Sequence, residues 1–169
     1  RALDTYSKTV DQNLWIRETP HPKQQRFLLH SHTREVFYGG SGGGGKSQSL
    51  WYGALQYVDT PGYAALLLRR TYAELSLPKS LMARSLQYLA GTKAVWNEQR
   101  KTWTFPSGAT ITFGYLEKER DKFRYASAEF AYIGFDELTG FSESQYRFLF
   151  TRLRKLVGVN IPLRMRSAS

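Results

Sequence analysis

Residues 35–48 have the sequence EVFYGGSGGGGKSQ, and this stretch decides the fold. The run that ends at Tyr38 is largely apolar and suits a short buried strand. The segment Gly39–Gly45 follows it and holds six of the chain's fourteen glycines. From Lys46 the sequence can continue as a helix to about Val58. A strand, a glycine loop ending in Lys-Ser and a helix, in that order, predict a P-loop nucleotide-binding domain.

The glycine loop matches the pattern G-x-x-x-x-G-K-[ST]. Only small residues let backbone N–H groups wrap a phosphate, while the Lys ammonium reaches the β- and γ-phosphates and the Ser hydroxyl joins the Mg²⁺ shell. The alternative is a flexible Gly/Ser linker, which would not lie between a buried strand and a helix. The predicted phosphate-binding residues are Gly40, Ser41, Gly42, Gly43, Gly44, Gly45, Lys46 and Ser47.

A second acidic motif closes the apolar stretch 130–135, which we interpret as a buried strand. Asp136 at this strand end can hold Mg²⁺ through water, and Glu137 can orient and deprotonate an attacking water. The alternative is that Asp136 only caps a helix. Ninety residues separate Lys46 from Asp136, a spacing that fits RecA-like ATPases with an extra strand between the two motif strands.

The remaining pattern predicts an α/β fold, a mainly parallel sheet flanked by helices with an added antiparallel β-hairpin. Residues 1–19 lack a clear period. The other expected elements are a helix over 22–30, a strand over 64–68, a helix over 71–89 that Pro78 kinks or interrupts, a strand over 93–96, a hairpin of 102–105 with 110–113, a helix over 141–156 and a strand over 161–166.

Composition restricts the function classes. The chain has 169 residues, no cysteine, three histidines and a net charge of +10. These counts exclude a disulfide framework, a Cys-zinc site and a thiol nucleophile, and they argue against a His-rich metal site. The sequence contains no run of 18 apolar residues, so it predicts no membrane-spanning helix. The positive charge favours a polyanionic partner, with nucleic acid the first candidate.

Several motifs together resemble the N-terminal ATPase domain of the large terminase subunit of tailed bacteriophages. The resemblance covers roughly residues 20–169. It is carried by Pro22-Lys23-Gln24, Tyr38-Gly39-Gly40, Ile133-Gly134-Phe135-Asp136-Glu137-Leu138, Phe141-Ser142-Glu143-Ser144-Gln145-Tyr146 and Arg152-Leu153-Arg154.

The resemblance implies a packaging motor that uses ATP and Mg²⁺ to drive double-stranded DNA into a procapsid. It implies that Gln24 hydrogen-bonds the adenine edge, and it implies portal protein and a small terminase subunit as partners. The motor would form a homo-oligomeric ring at the procapsid portal in the host cytoplasm, without a membrane and outside the mature virion. Residues 1–169 would be a single ATPase domain, a fragment without the family's RNase H-like nuclease and monomeric in isolation.

One departure from the family concerns the arginine that stabilises charge on the γ-phosphate. Many members carry an Arg four residues before the loop Lys, where this chain has Gly42. A neighbouring subunit is the simplest other source, with Arg124 and then Arg120 as the candidates for a finger acting in trans. Arg69-Arg70, at the end of a parallel strand, is a second candidate pair.

Three other functions remain open from the sequence. The first is a RecA-like or helicase-type nucleic-acid-dependent ATPase that is not involved in packaging. A P-loop kinase is disfavoured because Glu137 beside Asp136 would activate water, and a nucleotide-dependent switch without turnover is the third. Measured ATP turnover with and without double-stranded DNA separates these classes.

Overall fold

A seven-stranded sheet runs through the part of the chain described by the computed structural model, residues 1–42 and 45–169. The strands, in chain order, are β1 Glu35–Tyr38, β2 Ala64–Arg69, β3 Val95–Asn97, β4 Thr102–Thr104, β5 Thr110–Tyr115, β6 Tyr132–Asp136 and β7 Arg164–Ala168. They lie side by side in the order β1-β7-β6-β2-β5-β4-β3. The five strands β1, β7, β6, β2 and β5 pair in parallel with their neighbours in this order. Strand β4 pairs antiparallel with β5 and with β3. The expected α/β class with an antiparallel hairpin is confirmed.

The strand order places one strand between the two motif strands. Strand β1 leads into the glycine loop and β6 ends at Asp136, and β7 pairs in parallel with both. The RecA-like arrangement expected from the motif spacing is therefore present. The strand between them is the last one in the chain, so the segment between the motifs in sequence does not supply it.

Helices cover the sheet on both faces. Their bounds are α1 Ala2–Tyr6, which continues as a π-helical turn over Ser7–Asp11, α2 Pro22–Leu29, α3 Lys46–Leu55, α4 Tyr72–Leu75, α5 Leu81–Tyr88 and α6 Glu143–Phe150. Two 3₁₀ segments, Glu119–Tyr125 and Leu138–Gly140, complete the regular structure of the described residues. None of the described helices is long and apolar enough to cross a bilayer.

Side-chain caps set where several helices begin. Thr71, Ser80 and Ser142 each accept a hydrogen bond from the backbone N–H three residues later, at the starts of α4, α5 and α6. Such caps satisfy one of the N–H groups that the first helical turn leaves without a partner, and each contributes about 1 kcal/mol.

Strand β2 shows why the centre of the sheet is apolar on both faces. Its alternate side chains enter two separate clusters: Ala65 and Leu67 pack in the cluster that contains α3, and Leu66 and Leu68 pack in the cluster beside α6. All four side chains are buried. An uninterrupted apolar run is what a parallel strand covered on both faces requires.

The long helix expected over residues 71–89 is two helices. Helix α4 ends at Leu75, and α5 begins at Leu81 with Ser80 as its cap. Pro78 lies in the gap, as the sequence predicted, because proline lacks the N–H that an inner helical turn needs.

The helix expected over residues 141–156 is shorter, and the strand expected over 161–166 is displaced. Helix α6 ends at Phe150 because the chain then pairs beside Phe130, whose N–H donates to the Arg152 carbonyl at 2.9 Å. The last strand begins at Arg164 and extends to Ala168 because β6 pairs with it up to Asp136. The terminal helix over residues 2–11 was not predicted.

Candidate active site

Three strand ends meet at one edge of the sheet. Because β1, β6 and β2 run in parallel with β7, their carboxyl ends face the same way. This edge receives the glycine loop after Tyr38, the acidic pair after Phe135 and the side chain of Arg69. Ligands of open parallel sheets bind at such an edge.

The glycine loop ends at a position where the backbone conformation and the neighbouring side chains favour glycine. Gly45 has φ +69°, and a Cβ built on it would lie 2.5 Å from Nε2 of Gln24 and 2.8 Å from Nε2 of His21. A side chain there would clash and would also strain the backbone. Of the other predicted loop residues, Gly40, Ser41 and Gly42 belong to the described chain, whereas Gly43 and Gly44 lie outside the described residues.

Lys46 lies across the loop that precedes it. Its ammonium donates to the Gly40 carbonyl at 2.6 Å and to the Ser41 carbonyl at 3.3 Å. The side chain therefore spans the space where the motif predicts phosphate. Its charge has no acidic partner within ion-pair distance among the described residues.

Gln24 holds the end of the glycine loop to helix α2. The side chain is buried, its Nε2 donates to the Gly45 carbonyl at 3.0 Å, and its Oε1 accepts from the His21 N–H at 3.0 Å. Both ends of the amide are thus engaged within the protein. A bond from Gln24 to adenine stays a prediction.

Asp136 joins the glycine-loop helix to the acidic strand end. Ser47 Oγ donates to Asp136 Oδ1 at 2.8 Å, and Arg69 Nη1 lies 3.0 Å from Oδ2 of the same buried carboxylate. Arg69 also lies 3.5 Å from Glu74 on α4. Asp136 does not cap a helix, since the residue before the 3₁₀ segment Leu138–Gly140 is Glu137.

The contact between Ser47 and Asp136 fits a magnesium site. A hydroxyl and a carboxylate are hard oxygen donors, and Mg²⁺ usually takes one or two protein oxygens together with waters and phosphate oxygens. The described residues contain no cluster of three or more His, Cys, Asp and Glu that would hold a metal without phosphate. Ser47 and Asp136 would hold Mg²⁺, and the ion would neutralise charge on the phosphates when bound.

Glu137 lies at the mouth of the same site in a rarely adopted backbone conformation. Its φ of 56° and ψ of 63° are left-handed, and its side chain is exposed. Left-handed residues other than glycine cost free energy, so the surrounding structure must hold them in place. Such residues are enriched at functional sites.

A cavity of about 240 Å³ brings the two motifs together. Glu137 lines it together with glycine-loop residues and two side chains that the motifs did not include. The described residues around it are Gly42, Gly45, Lys46, Ser47, Gln48, Arg84 and Glu137. Sequence reasoning missed Arg84, which lies on α5, outside both motifs.

Comparison with known proteins agrees with this arrangement. A family model described as "Terminase large subunit, T4likevirus-type, N-terminal" matches residues 37–163 of the 169. The chain belongs to the large terminase family. No curated protein sequence matches it.

Solved structures of a large terminase share the fold. In one crystal form, the large terminase of a thermophilic bacteriophage matches with a TM-score of 0.60 and 12% identity, and the match covers 99% of this chain and 38% of that one. A second form, in complex with ADP, matches with a TM-score of 0.56, 13% identity and the same coverages. The terminase chain described here thus spans about two fifths of the length of those proteins.

The two arginines predicted to act in trans lie outside the cavity of this terminase domain. Arg124 is exposed in the 3₁₀ segment 119–125, with Nη2 3.5 Å from Asp121 and its guanidinium 4.6 Å from the centre of the Tyr115 ring. Arg120 is exposed on the same segment. Both arginines lie on the surface of their own subunit. Their role in a neighbouring site stays a prediction.

Proposed function

We propose that this chain is the ATP-hydrolysing domain of a motor that packages double-stranded viral DNA into a procapsid. The observation that carries the proposal is the 2.8 Å hydrogen bond from Ser47 to Asp136, which fastens the glycine-loop helix to the acidic strand end. Membership of the terminase family supports the packaging role.

The glycine loop binds the phosphates of ATP through backbone N–H groups at the start of α3. The helix dipole adds positive potential there, which favours an anion. Lys46 leaves the carbonyls of Gly40 and Ser41 when the phosphates arrive, because a triphosphate offers its ammonium charged acceptors in place of neutral ones.

Glu137 acts as the general base in this proposal. Glu137 lines the cavity with Lys46 and Ser47, and in this proposal its carboxylate accepts a proton from a water that attacks the γ-phosphate. A positioned general base contributes about 10²–10⁴-fold in rate. A kinase must exclude such a water, so this arrangement favours hydrolysis over phosphate transfer to a small molecule.

The proposed partners follow from charge and from the family. A net charge of +10 suits the phosphate backbone of double-stranded DNA. Family membership supports interaction with the portal protein in general terms. Assembly into a ring, a small terminase subunit as partner and a location in the host cytoplasm are parts of the proposal that stay predictions.

Steady-state ATP turnover with and without DNA tests the proposal. We expect Mg²⁺-dependent turnover that double-stranded DNA stimulates and that Lys46→Ala abolishes. Lys79→Ala, which removes an exposed lysine outside the cavity, is the control and should leave turnover unchanged. Turnover at the normal rate in Lys46→Ala would overturn the site, and stimulation by single strands alone would favour a helicase-type ATPase.

A further inference from the structure

Arg84 lies between two open cavities beside the glycine loop. One is the cavity of about 240 Å³ that also contains Lys46, Ser47 and Glu137. The other, of about 580 Å³, is lined by Arg84, Gln48, Arg17 and Glu18, and by Gln87 and Tyr88 of α5. Arg84 Nη1 lies 3.5 Å from Gln48 Oε1, at the outer limit of a hydrogen bond.

The electrostatic setting of Arg84 favours an anion beside it. Arg84 forms no ion pair within 4.0 Å in the described part of the chain. Its contact residue, Gln48, lies in the first turn of α3, where the helix dipole is positive and Lys46 adds a further charge. Lys46 and Arg84 outnumber Glu137, the acidic residue that lines the same cavity in the described chain, so the cavity keeps an excess of positive charge that an anion would offset.

We propose that Arg84 binds the phosphate chain of the nucleotide from the same subunit as the glycine loop. This inference rests on the proposed function and assigns a residue that neither motif contains. Lys46 is assigned to the β- and γ-phosphates. Arg84 contacts Gln48, which lies two residues after Lys46 on α3 and so farther from the γ-phosphate end. Arg84 therefore contacts the α- and β-phosphates, which ADP and ATP share.

The chemistry of arginine suits this role. A guanidinium offers up to five N–H donors in a planar fork that matches phosphate oxygens, and charge-assisted bonds of this kind are about twice as strong as neutral ones. This chain has Gly42 where many relatives have a loop arginine. Arg84 supplies a guanidinium to the same cavity from helix α5.

Nucleotide binding to the 169-residue chain tests this inference without requiring turnover. Fluorescent ADP and ATP analogues are titrated at protein concentrations where light scattering shows a monomer. We expect Arg84→Ala to weaken both analogues by about tenfold, the loss of one charge-assisted bond. Arg84→Lys should recover part of the loss, since it keeps the charge but not the fork. Arg26→Ala, an exposed arginine on α2 outside the cavity, should bind like the unaltered chain.

The outcomes separate this inference from the proposed function. If Lys46→Ala binds both analogues normally, the nucleotide site itself is wrong. If Lys46→Ala loses binding while Arg84→Ala keeps its affinity for ADP, the role of Arg84 is overturned and the site stands. Arg84 is exposed, so Arg84→Ala should leave the melting temperature unchanged. If the melting temperature falls, the affinity of Arg84→Gln for ADP decides instead, because glutamine can still contact Gln48.

Discussion

Glu137 is one of two residues other than glycine with positive φ in the described chain, and it directly follows the acidic strand end. Asp136 is fixed by strand β6 and by its bonds to Ser47 and Arg69. The next residue must turn the chain out of the sheet, and it does so at φ 56°, where an L side chain costs about 1–2 kcal/mol. With this turn, Glu137 lines the cavity beside the glycine loop.

Substitutions at Glu137 separate its chemistry from its strain. Glu137→Gln should keep nucleotide binding and lower hydrolysis by about 10²–10⁴-fold, because an amide cannot take the proton of the attacking water. Glu137→Ala and Glu137→Gly should lose hydrolysis equally. The free energy of unfolding of Glu137→Gly should be about 1 kcal/mol higher than that of Glu137→Ala, since glycine adopts positive φ without steric cost.

Two measurements check these expectations at residue 137. Single-turnover ATP hydrolysis reports the chemical step, and urea unfolding of the alanine and glycine variants reports the strain. Hydrolysis by Glu137→Gln within about twofold of the normal rate would remove Glu137 as the base. Equal stability of the two small variants would show that the left-handed conformation carries no strain.

At the scale of elements, strand β7 contacts the C-terminal ends of helices α2 and α3. Arg164 is buried and donates to Gln56 Oε1, the residue that ends α3, at 2.7 Å. Arg166 is buried and donates to the His30 carbonyl, at the end of α2, at 2.6 Å. Both cations therefore lie at helix C-termini, where the dipole is negative. Burial is the main cause that lowers the pKa of Arg166 to about 10.

Replacing Arg164 tests how strongly β7 holds α3. Its guanidinium lies 4.8 Å from the centre of the Tyr57 ring and 4.7 Å from that of Tyr132, without an acidic partner within 4.0 Å in the described residues. We expect Arg164→Met to lower the free energy of unfolding by about 2 kcal/mol, since two cation–π contacts and the bond to Gln56 are lost. Chemical denaturation measures this, with Arg154→Met, at an exposed arginine, as the control. An unchanged or higher stability of Arg164→Met would mean that the desolvation of the charge outweighs its contacts.

Strand β7 also shows a limit of prediction from the sequence: a strand was expected over residues 161–166, but the burial of its two arginines was not. The strands β1, β2, β5 and β6 could be predicted because local apolar runs and turn residues specify them. Strand β7 holds two arginines among five residues, a pattern typical of an exposed strand, and only the ends of distant helices explain their burial. The contacts that fix it have no local signal.

The candidate site divides in the same way. Lys46, Ser47 and Asp136 could be predicted because phosphate and metal chemistry demand those residue types at a loop and a strand end. Arg69 was predicted only as a source of charge, and the structure pairs it with Asp136. Arg84 could not be found, since a residue on α5 reaches the loop only through packing between helices.

At the scale of the whole molecule, Arg84 and Arg124 differ in their position relative to the cavity, and this difference underlies the roles proposed for them. Arg84 lines the cavity of its own chain, whereas Arg124 is exposed outside it. Arg124 keeps an ion pair with Asp121 at 3.5 Å, a surface contact worth about 0–1 kcal/mol. So weak a contact can be exchanged for a neighbour's γ-phosphate when a ring assembles.

Mixed rings test both assignments in one experiment. A finger arginine contributes about 10³–10⁵-fold in rate, so rings made only of Arg124→Ala or only of Glu137→Gln should be nearly inactive. Mixing these two variants should restore part of the ATP turnover, because a Glu137→Gln subunit supplies the arginine to a neighbour that still has its base. At an ATP concentration well below the dissociation constant of Arg84→Ala, mixing Arg84→Ala with Glu137→Gln should restore much less than the first mixture, because each subunit then lacks one residue of its own site. ATP turnover measured across mixing ratios distinguishes these cases. A fully active ring of Arg124→Ala subunits would remove Arg124 from the mechanism. Equal recovery of turnover in the mixtures with Arg84→Ala and with Arg124→Ala would mean that Arg84 acts in trans.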